Sequence, residues 1–191
     1  MRKIHLVGIS GSLRQASSNS AILRTLQAAL QHDVEMTVLP LDDVPLYNQD
    51  LDGPGLPEPV RKFKNVISTC DGLVICSPEY NFGMPGVLKN ALDWASRPAF
   101  ASPLKDKPAL LMTASPAFTG GVRAQAQLRD TLTGALARVV ATPPVVIAGV
   151  HTKLNEGRFV DEANLKFALD AIDTLVGEIR MLRVAKAAVT S

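Results

Sequence analysis

The chain has 191 residues, of which 47% are hydrophobic and 20% are charged, and its formal net charge at pH 7 is +2. This composition predicts a single globular domain over residues 1–191, and the weak charge with only 5% aromatic residues argues against a nucleic-acid partner. No apolar run approaches the roughly 18 to 20 residues of a membrane span, and the amino-terminal residues lead directly into a strand without a cleavage site. We therefore expect a cytoplasmic protein with no membrane span.

The cysteines and histidines do not form a recognisable metal or disulfide pattern. Cys70 and Cys76 are too few and too poorly spaced for a disulfide framework, and they flank or lie in an apolar strand. His5, His32 and His151 are scattered along the chain. We expect reduced cysteines in the core and no metal site.

The first predicted unit is a strand over residues 4–9, a polar loop, and a helix from about residue 20 with Ile22, Leu23, Leu26 and Leu30 at helical spacing. The amino end of a helix carries unpaired N–H groups and a partial positive charge, which favours an anion. The serines, the asparagine and the one arginine of this loop suit a phosphate. The same serine and asparagine cluster also suits simple helix capping, and composition alone does not separate the two interpretations.

Other chemistries fit this loop less well. A Walker A loop needs a lysine, which is absent here, and Gly8 with Gly11 does not supply the spacing of the dinucleotide fingerprint. A nucleophile elbow at Ser10 would need glycine in place of Ser12. The loop is therefore interpreted as an anion site or a helix cap.

The second predicted unit is a strand over 34–39 followed by a proline- and aspartate-rich stretch over 40–59. Such a stretch is typical of an extended surface loop, and long loops in compact domains often border a functional site or a subunit contact. A helix follows, with Val60, Phe63, Ile67 and Cys70 on its buried face.

The third predicted unit has an apolar strand over 72–76 and a loop over 77–86 that contains two prolines and two glycines. Proline fixes the backbone and glycine allows close approach, so this loop can present stiff, bare peptide groups. Such groups suit a flat ring with a polar edge, as in a flavin. The helix that follows over 87–96 contains Trp94, which we interpret as a packing residue.

The remaining pattern predicts a strand over 108–113, a loop of small residues over 114–121, a helix to about residue 136, a strand over 143–150 and a helix from about residue 161. Five strands alternating with helices predict an α/β protein with a five-stranded parallel sheet and helices on both faces. We expect the flavodoxin-like order 2-1-3-4-5. In that order the loop at 10–19 faces the loop at 77–84 across the switch point.

Taken together, the three loops resemble the NADPH-dependent FMN reductase family, most closely its chromate and quinone reductase members. The resemblance is carried by Gly11-Ser12-Leu13-Arg14 with the serines and Asn19 after it, by Pro78-Glu79-Tyr80-Asn81, by the helix sequence from Gly86 to Trp94, and by Ser115 to Arg129. These motifs cover nearly the whole chain and occur in the family's order.

The resemblance implies the residues that hold FMN. The phosphate would be bound by the first loop, at Ser12, Arg14, Ser17, Ser18 and Asn19, although which of Ser17 and Ser18 makes the contact stays open. The ring edge would lie on the second loop, at Pro78, Glu79, Tyr80, Asn81 and Phe82. The third loop would approach the flavin with Ser115, Gly120 and Gly121.

The resemblance also implies the reaction. NADPH or NADH would give a hydride to N5 of tightly bound FMN, and a quinone, chromate, an azo dye or free flavin would then take two electrons at the same open face. The family's assemblies imply a homodimer or a homotetramer. We name no catalytic residue, and we interpret Glu79 as orienting its loop or contacting a neighbouring subunit.

Two alternatives remain at this point. A flavodoxin-type carrier would also bind FMN but would pass single electrons between proteins, and such carriers are typically strongly acidic, whereas this chain is at +2. A flavodoxin-like module without a cofactor would take up no FMN.

Overall fold

The computed structural model describes residues 2–189 as a parallel sheet flanked by helices. The strands are β1 Ile4–Ser10, β2 Val34–Leu39, β3 Gly72–Ser77, β4 Pro108–Ser115, β5 Arg138–Val139, β6 Val145–Ala148, β7 Leu154–Asn155 and β8 Arg158–Phe159. The helices are α1 Ser18–Ala29, α2 Glu58–Thr69, α3 Gly86–Ala95, α4 Val122–Gly134 and α5 Glu162–Val189, with short 3-10 turns at Gln49–Leu51 and Val150–Lys153.

The strand order is β2-β1-β3-β4, followed by an edge position that β5 and β6 share, so the expected order 2-1-3-4-5 is confirmed. All of these strands run parallel to one another. The predicted last strand over 143–150 was wrong in one respect, because the edge strand is divided. β5 pairs with the start of β4 at Pro108 and Ala109, and β6 pairs with the end of β4. Pro143 and Pro144 lie between the two pieces and have no N–H to donate to the ladder.

The core lies on both faces of the sheet. Alternate residues of a strand point to opposite faces, and accordingly Leu6 and Val74 pack with α1 and α5, whereas Val7 and Ile75 pack with α2, α3 and α4. Every residue of β3 and β4 is buried. The expectation of helices on both faces is therefore confirmed.

Element boundaries differ from the predicted ones by about one helical turn at most. Helix α1 begins at Ser18 rather than residue 20, because the Ser17 side chain caps it by accepting the N–H of Ser20 at 3.2 Å. Strand β4 continues to Ser115, so the third loop begins at Pro116. Within residues 2–189, no helix is both long and apolar enough to cross a bilayer.

Candidate active site

The carboxyl ends of β1, β3 and β4 lie side by side. The register pairs Ser10 with Cys76 and Ser77 with Thr113, and the N–H of Gly11 donates to the carbonyl of Cys76 at 2.9 Å. The three loops that the sequence singled out therefore start from neighbouring points on one edge of the sheet. This edge is where open α/β sheets bind their ligands.

The first and second loops are in direct contact at Gly11. A Cβ atom added to Gly11 would lie 2.8 Å from Oγ of Ser77, 3.1 Å from Cδ of Pro78 and 3.2 Å from Cδ2 of Leu88. Glycine permits this approach because it has no side chain. The polar loop and the proline-bounded loop therefore share one crevice, as expected from the strand order.

Asn19 ties the bases of the loops together. The residue is 3% exposed, and its side chain donates from Nδ2 to the carbonyl of Ala114 at 3.4 Å and accepts at Oδ1 from the Cys76 thiol at 3.1 Å. Burial raises the pKa of the Cys76 thiol, so the thiol stays protonated and can donate. The resemblance placed Asn19 on the phosphate, but the structure directs its carboxamide to β3 and β4. Only its backbone N–H remains available at the start of α1.

The first loop has the features of an anion site. The N–H groups of Ser18 and Asn19 open helix α1 and have no partner among residues 2–189. Ser17 is 3% exposed and its hydroxyl is used as the cap, whereas Ser18 is only partly buried. Arg14 is exposed on the same loop.

A cavity of about 250 Å³ adjoins this loop, and one of its lining residues is Arg24, a cation that the sequence analysis did not identify. Ser12, Arg14, Ser20 and Arg24 are among its lining residues. The signal for Arg24 was present in the sequence, because residues four apart on a helix share a face and Ser20 precedes Arg24 by four. The first loop therefore has two guanidinium groups beside it.

The second loop makes a tight turn whose two central residues have positive φ. Tyr80 and Gly83 exchange both backbone hydrogen bonds, at 2.9 and 3.0 Å, and φ is 49° at Asn81 and 67° at Phe82. This is the conformation of a type I′ turn, which is costly for a bulky residue such as phenylalanine. The N–H groups of Asn81 and Phe82 have no hydrogen-bond partner in the described part of the chain. The turn thus presents unpaired donors, and the Phe82 ring beside them is 71% exposed.

Glu79 joins the second loop to the third. Its Oε2 accepts the N–H groups of Arg123 at 2.9 Å and Ala124 at 3.1 Å, so the carboxylate caps the amino end of α4. The Arg123 guanidinium lies 3.5 Å from Oε1 and stacks over the Phe82 ring, 4.4 Å from its centroid. This geometry agrees with a loop-orienting role for Glu79. The amino end of α4 is therefore taken by a carboxylate, while that of α1 is available.

Glu79→Gln is expected to lower the free energy of unfolding by about 1 kcal/mol, because a charged cap at a helix amino end is replaced by a neutral one. Urea titration measures the loss, and amide exchange locates it. Exchange should accelerate at Arg123 and Ala124. The matched control is Glu35→Gln, which removes the same charge. Glu35 is exposed and forms a surface ion pair with Lys3 at 3.7 Å, which contributes little to stability. Equal stability of the two variants would contradict the capping role.

The third loop is closely packed against the sheet. Ser115 is 7% exposed, and its hydroxyl accepts the N–H of Ala117 at 3.2 Å. Gly120 and Gly121 have φ of 61° and 96°, and Gly121 is the residue before α4. Phe118 at the outer end of the loop is 92% exposed. The structure thus places Ser115 and both glycines at the base of the loop and one aromatic ring at its rim.

The long loop (residues 40–57) is hydrogen-bonded to α3 by residues of the helix sequence from Gly86 to Trp94. Asn90 donates from Nδ2 to the carbonyl of Pro45 at 2.9 Å and accepts the N–H of Tyr47 at 2.7 Å. Trp94 donates from Nε1 to the same carbonyl at 2.8 Å and is fully buried, as expected for a packing residue. The motif therefore positions a loop as well as a helix.

Comparison with known proteins decides the family. The family model of NADPH-dependent FMN reductase matches residues 4–152. The chain belongs to the NADPH-dependent FMN reductase family. An NAD(P)H-dependent FMN reductase of Pseudomonas aeruginosa is 36% identical over 94% of this chain and 97% of its own length. A quinone reductase of Escherichia coli strain K12 is 37% identical over 85% of this chain and 88% of its own.

A solved structure agrees with this assignment to the FMN reductase family. FerB, a flavoenzyme NAD(P)H:(acceptor) oxidoreductase from Paracoccus denitrificans, superposes with a TM-score of 0.82 and 32% identity, over 93% of this chain and 98% of its own. The resemblance drawn from the motifs is therefore confirmed. Three further predictions are confirmed with it: the flavodoxin-like fold, the prediction that the chain is an enzyme, and the prediction of FMN as cofactor with NAD(P)H as electron donor.

The residues present fit FMN as this family's cofactor. Unpaired N–H groups at the start of α1 and the nearby guanidinium of Arg14 match a phosphate dianion. The unpaired donors of the turn at Asn81 and Phe82 match a polar ring edge. These two sets lie on loops that touch at Gly11.

Proposed function

We propose that this chain is an NAD(P)H:quinone oxidoreductase in which residues 1–191 form one FMN-binding domain. The observation that carries the proposal is that the loop leading into α1 and the loop that bears the turn with unpaired donors meet at Gly11, which lies against Ser77 and Pro78. A phosphate and a flat ring at opposite ends of one molecule are the ligand features that such a crevice suits. The similarity to quinone reductases supports the choice of reaction.

The phosphate end is assigned to the first loop. Ser12, Arg14, Ser18 and the backbone N–H of Asn19 would hold it, with Ser17 acting through the cap. Ser18 is chosen over Ser17 because the Ser17 hydroxyl already accepts a hydrogen bond and is buried. The helix start contributes a partial positive charge, and Arg14 contributes a full one.

The ring end is assigned to the backbone of the second loop, with the base of the third loop beside it. When bound, FMN supplies the redox chemistry, moving two electrons from the nicotinamide to the acceptor. The protein's part is to fix the ring with the N–H groups of Asn81 and Phe82, to hold the turn through Glu79, and to leave one face open. Fixed N–H donors also stabilise negative charge that develops on a bound ring.

Quinones are the proposed acceptors because the rim of the crevice is aromatic. Tyr80, Phe82 and Phe118 are 48%, 71% and 92% exposed, and such rings favour flat aromatic molecules. A relative from Burkholderia, 35% identical over 92% of this chain, is a 2-hydroxy-1,4-benzoquinone reductase, which supports this choice. Chromate, azo dyes and free flavin are proposed as further acceptors at the same face. We also propose a cytoplasmic homodimer or homotetramer.

The purified protein is expected to be yellow, to be bleached by NADPH or NADH under anaerobic conditions, and to recover its colour when a quinone is added. An absorption spectrum recorded during the titration measures this. Bleaching by neither nucleotide would contradict the enzyme proposal. Accumulation of a one-electron reduced state during stepwise reduction would instead favour the flavodoxin-type carrier. Protein that takes up no FMN would favour the module without a cofactor.

Arg14→Ala is expected to weaken FMN binding by about tenfold or more, because a charge-assisted contact to the phosphate is worth about 1.5–3 kcal/mol. Equilibrium titration of the flavin-depleted protein with FMN measures the change. Arg129→Ala is the control, since Arg129 is exposed on α4 and is the same type of residue. FMN affinity that is equal in the Arg14 and Arg129 variants would place the phosphate elsewhere.

A further inference from the structure

Positively charged residues are concentrated in a cleft at the amino-terminal ends of the strands, on the opposite side of the sheet from the candidate active site. None of these residues belongs to the proposed FMN site. The cleft lies where β1, β3 and β4 begin, between the end of α2, the segment before β4, and α5. Its volume is about 280 Å³. Strand β4 has 8 residues, so this cleft is roughly 23 Å from the candidate active site.

The charge in this cleft exceeds that of the whole chain. Five basic residues line it, namely Arg2, Lys105, Lys107, Arg183 and Lys186, and the two acidic residues are Asp71 and Asp106. Five positive charges and two negative ones give a formal charge of +3, against +2 for the full sequence. The rest of the molecule therefore has a formal charge of −1, and the cleft is a second region, besides the first loop, where positive charge is concentrated.

Hydrogen bonds fix the geometry of the cationic groups. Asp71 accepts from Arg2 at 2.8 Å and from Arg183 at 2.7 Å, so one carboxylate serves two guanidinium groups. Arg183 also donates to the backbone carbonyls of Arg2 and Lys3, at 2.8 and 3.2 Å. These contacts hold Arg183 in one place, and a ligand would not have to order it.

Lys107 shows that the positive charge of the cleft is only partly compensated. Its ammonium group donates to the carbonyls of Ser68 and Cys70, which are neutral acceptors at the end of α2. Burial lowers the pKa of Lys107 and the nearby Lys186 lowers it further, although Cys70 and Asp71 act in the opposite direction. An anion bound in the cleft would favour the charged form of Lys107 and so oppose the lowering of its pKa.

We infer that the cleft binds a small polyanion of the diphosphate class. Two linked phosphates of about −1.5 charge each match the surplus of +3 in the cleft, and their oxygens can accept from several cationic donors at once. The volume of about 280 Å³ is below the roughly 300–1,000 Å³ of sites for drug-sized ligands. The diphosphate itself, free or as the end of a nucleoside diphosphate, is therefore the part that is recognised.

The test uses the full chain saturated with FMN, so that the phosphate site of the flavin is filled. Inorganic pyrophosphate and ADP are titrated separately by calorimetry at constant ionic strength, and the melting temperature is followed in parallel. We expect one-site binding and a raised melting temperature. Equal affinity for the two probes assigns the site to free diphosphate, and tighter binding of ADP assigns it to a nucleoside diphosphate.

The double variant Lys105→Gln, Lys186→Gln is expected to lower the affinity for pyrophosphate by about tenfold or more, with unchanged FMN content. Both residues are exposed at the rim, so the fold should tolerate the change. The control is Lys62→Gln, Lys166→Gln, which removes the same charge from side chains that are 75% and 76% exposed and lie outside the cleft. Absence of binding to the unsubstituted protein, or an equal loss in both double variants, would overturn the inference. Neither readout depends on turnover.

Discussion

Gly120→Ala is expected to lower the free energy of unfolding by about 2–5 kcal/mol. At Gly120 φ is 61°, and an L-residue in this left-handed region costs about 1–2 kcal/mol. The added Cβ would lie 2.4 Å from Cγ1 of Val146 and 3.1 Å from the backbone N of Ala148, and overpacking of this kind costs about 1–3 kcal/mol. Both neighbours belong to β6, so the third loop would be pushed away from the edge of the sheet.

Chemical denaturation of the Gly120 variant measures this loss, and its FMN content reports the displacement of the loop. Gly134→Ala is the matched control, because Gly134 ends α4 and an added Cβ there meets nothing within 4 Å. A change of less than about 1 kcal/mol is expected at Gly134. If the two alanine variants were equally stable, the close packing of Gly120 against β6 would be disproved.

The sheet order could be predicted from the sequence because its signals are local. Continuous apolar runs such as the one at β3 predict strands covered on both faces, and helical spacing between them predicts parallel connections. Right-handed crossovers then leave few topologies. Proline interrupts such a ladder, and the division of the edge strand into β5 and β6 could have been predicted from Pro143 and Pro144.

The contacts within the site could not be predicted in the same way, because they join residues far apart in the chain. Asn19 reaches a carbonyl 95 residues away, and Glu79 reaches an N–H 44 residues away. A serine and asparagine cluster before a helix looks the same whether its members cap, bind a phosphate or brace neighbouring strands. In the structure Ser17 caps the helix and Asn19 braces the strands, whereas the Ser18 N–H has no partner among residues 2–189 and is the group that we propose for the phosphate.

The contacts of Trp94 in α3 likewise could not be predicted from the sequence. The sequence indicated that Trp94 packs, but it did not indicate against what. In the structure the ring meets Tyr47 edge-on with centroids 4.9 Å apart, and its N–H shares the Pro45 carbonyl with Asn90. These three contacts hold the middle of the long loop (residues 40–57), while Leu41 in the core and the Asp52–Lys64 ion pair at 3.9 Å hold it on either side. Trp94 makes two of the three contacts in the middle of the loop, so the order of that part of the loop should depend strongly on its indole.

Trp94→Ala is expected to lower the free energy of unfolding by about 3–5 kcal/mol, since Trp94 is fully buried and its removal leaves a large cavity. Trp94→Phe keeps one six-membered ring but loses the N–H donated to Pro45 and leaves a smaller cavity, at an intermediate cost of about 1–3 kcal/mol. Because Trp94 is the only tryptophan, circular dichroism rather than indole fluorescence must follow the unfolding.

Limited proteolysis separates loss of the loop from loss of the fold. Under conditions where the Trp94→Ala protein is still folded, cleavage within residues 40–57 should be faster than in the unsubstituted protein, while Trp94→Phe should lie between them. Asn90→Ala removes the other anchor of Pro45 and Tyr47 without opening a large cavity, so it should free the loop at a smaller cost in stability. Cleavage of the loop at an unchanged rate in both alanine variants would mean that Asn90 and Trp94 do not hold it, and that Trp94 acts only by filling the core.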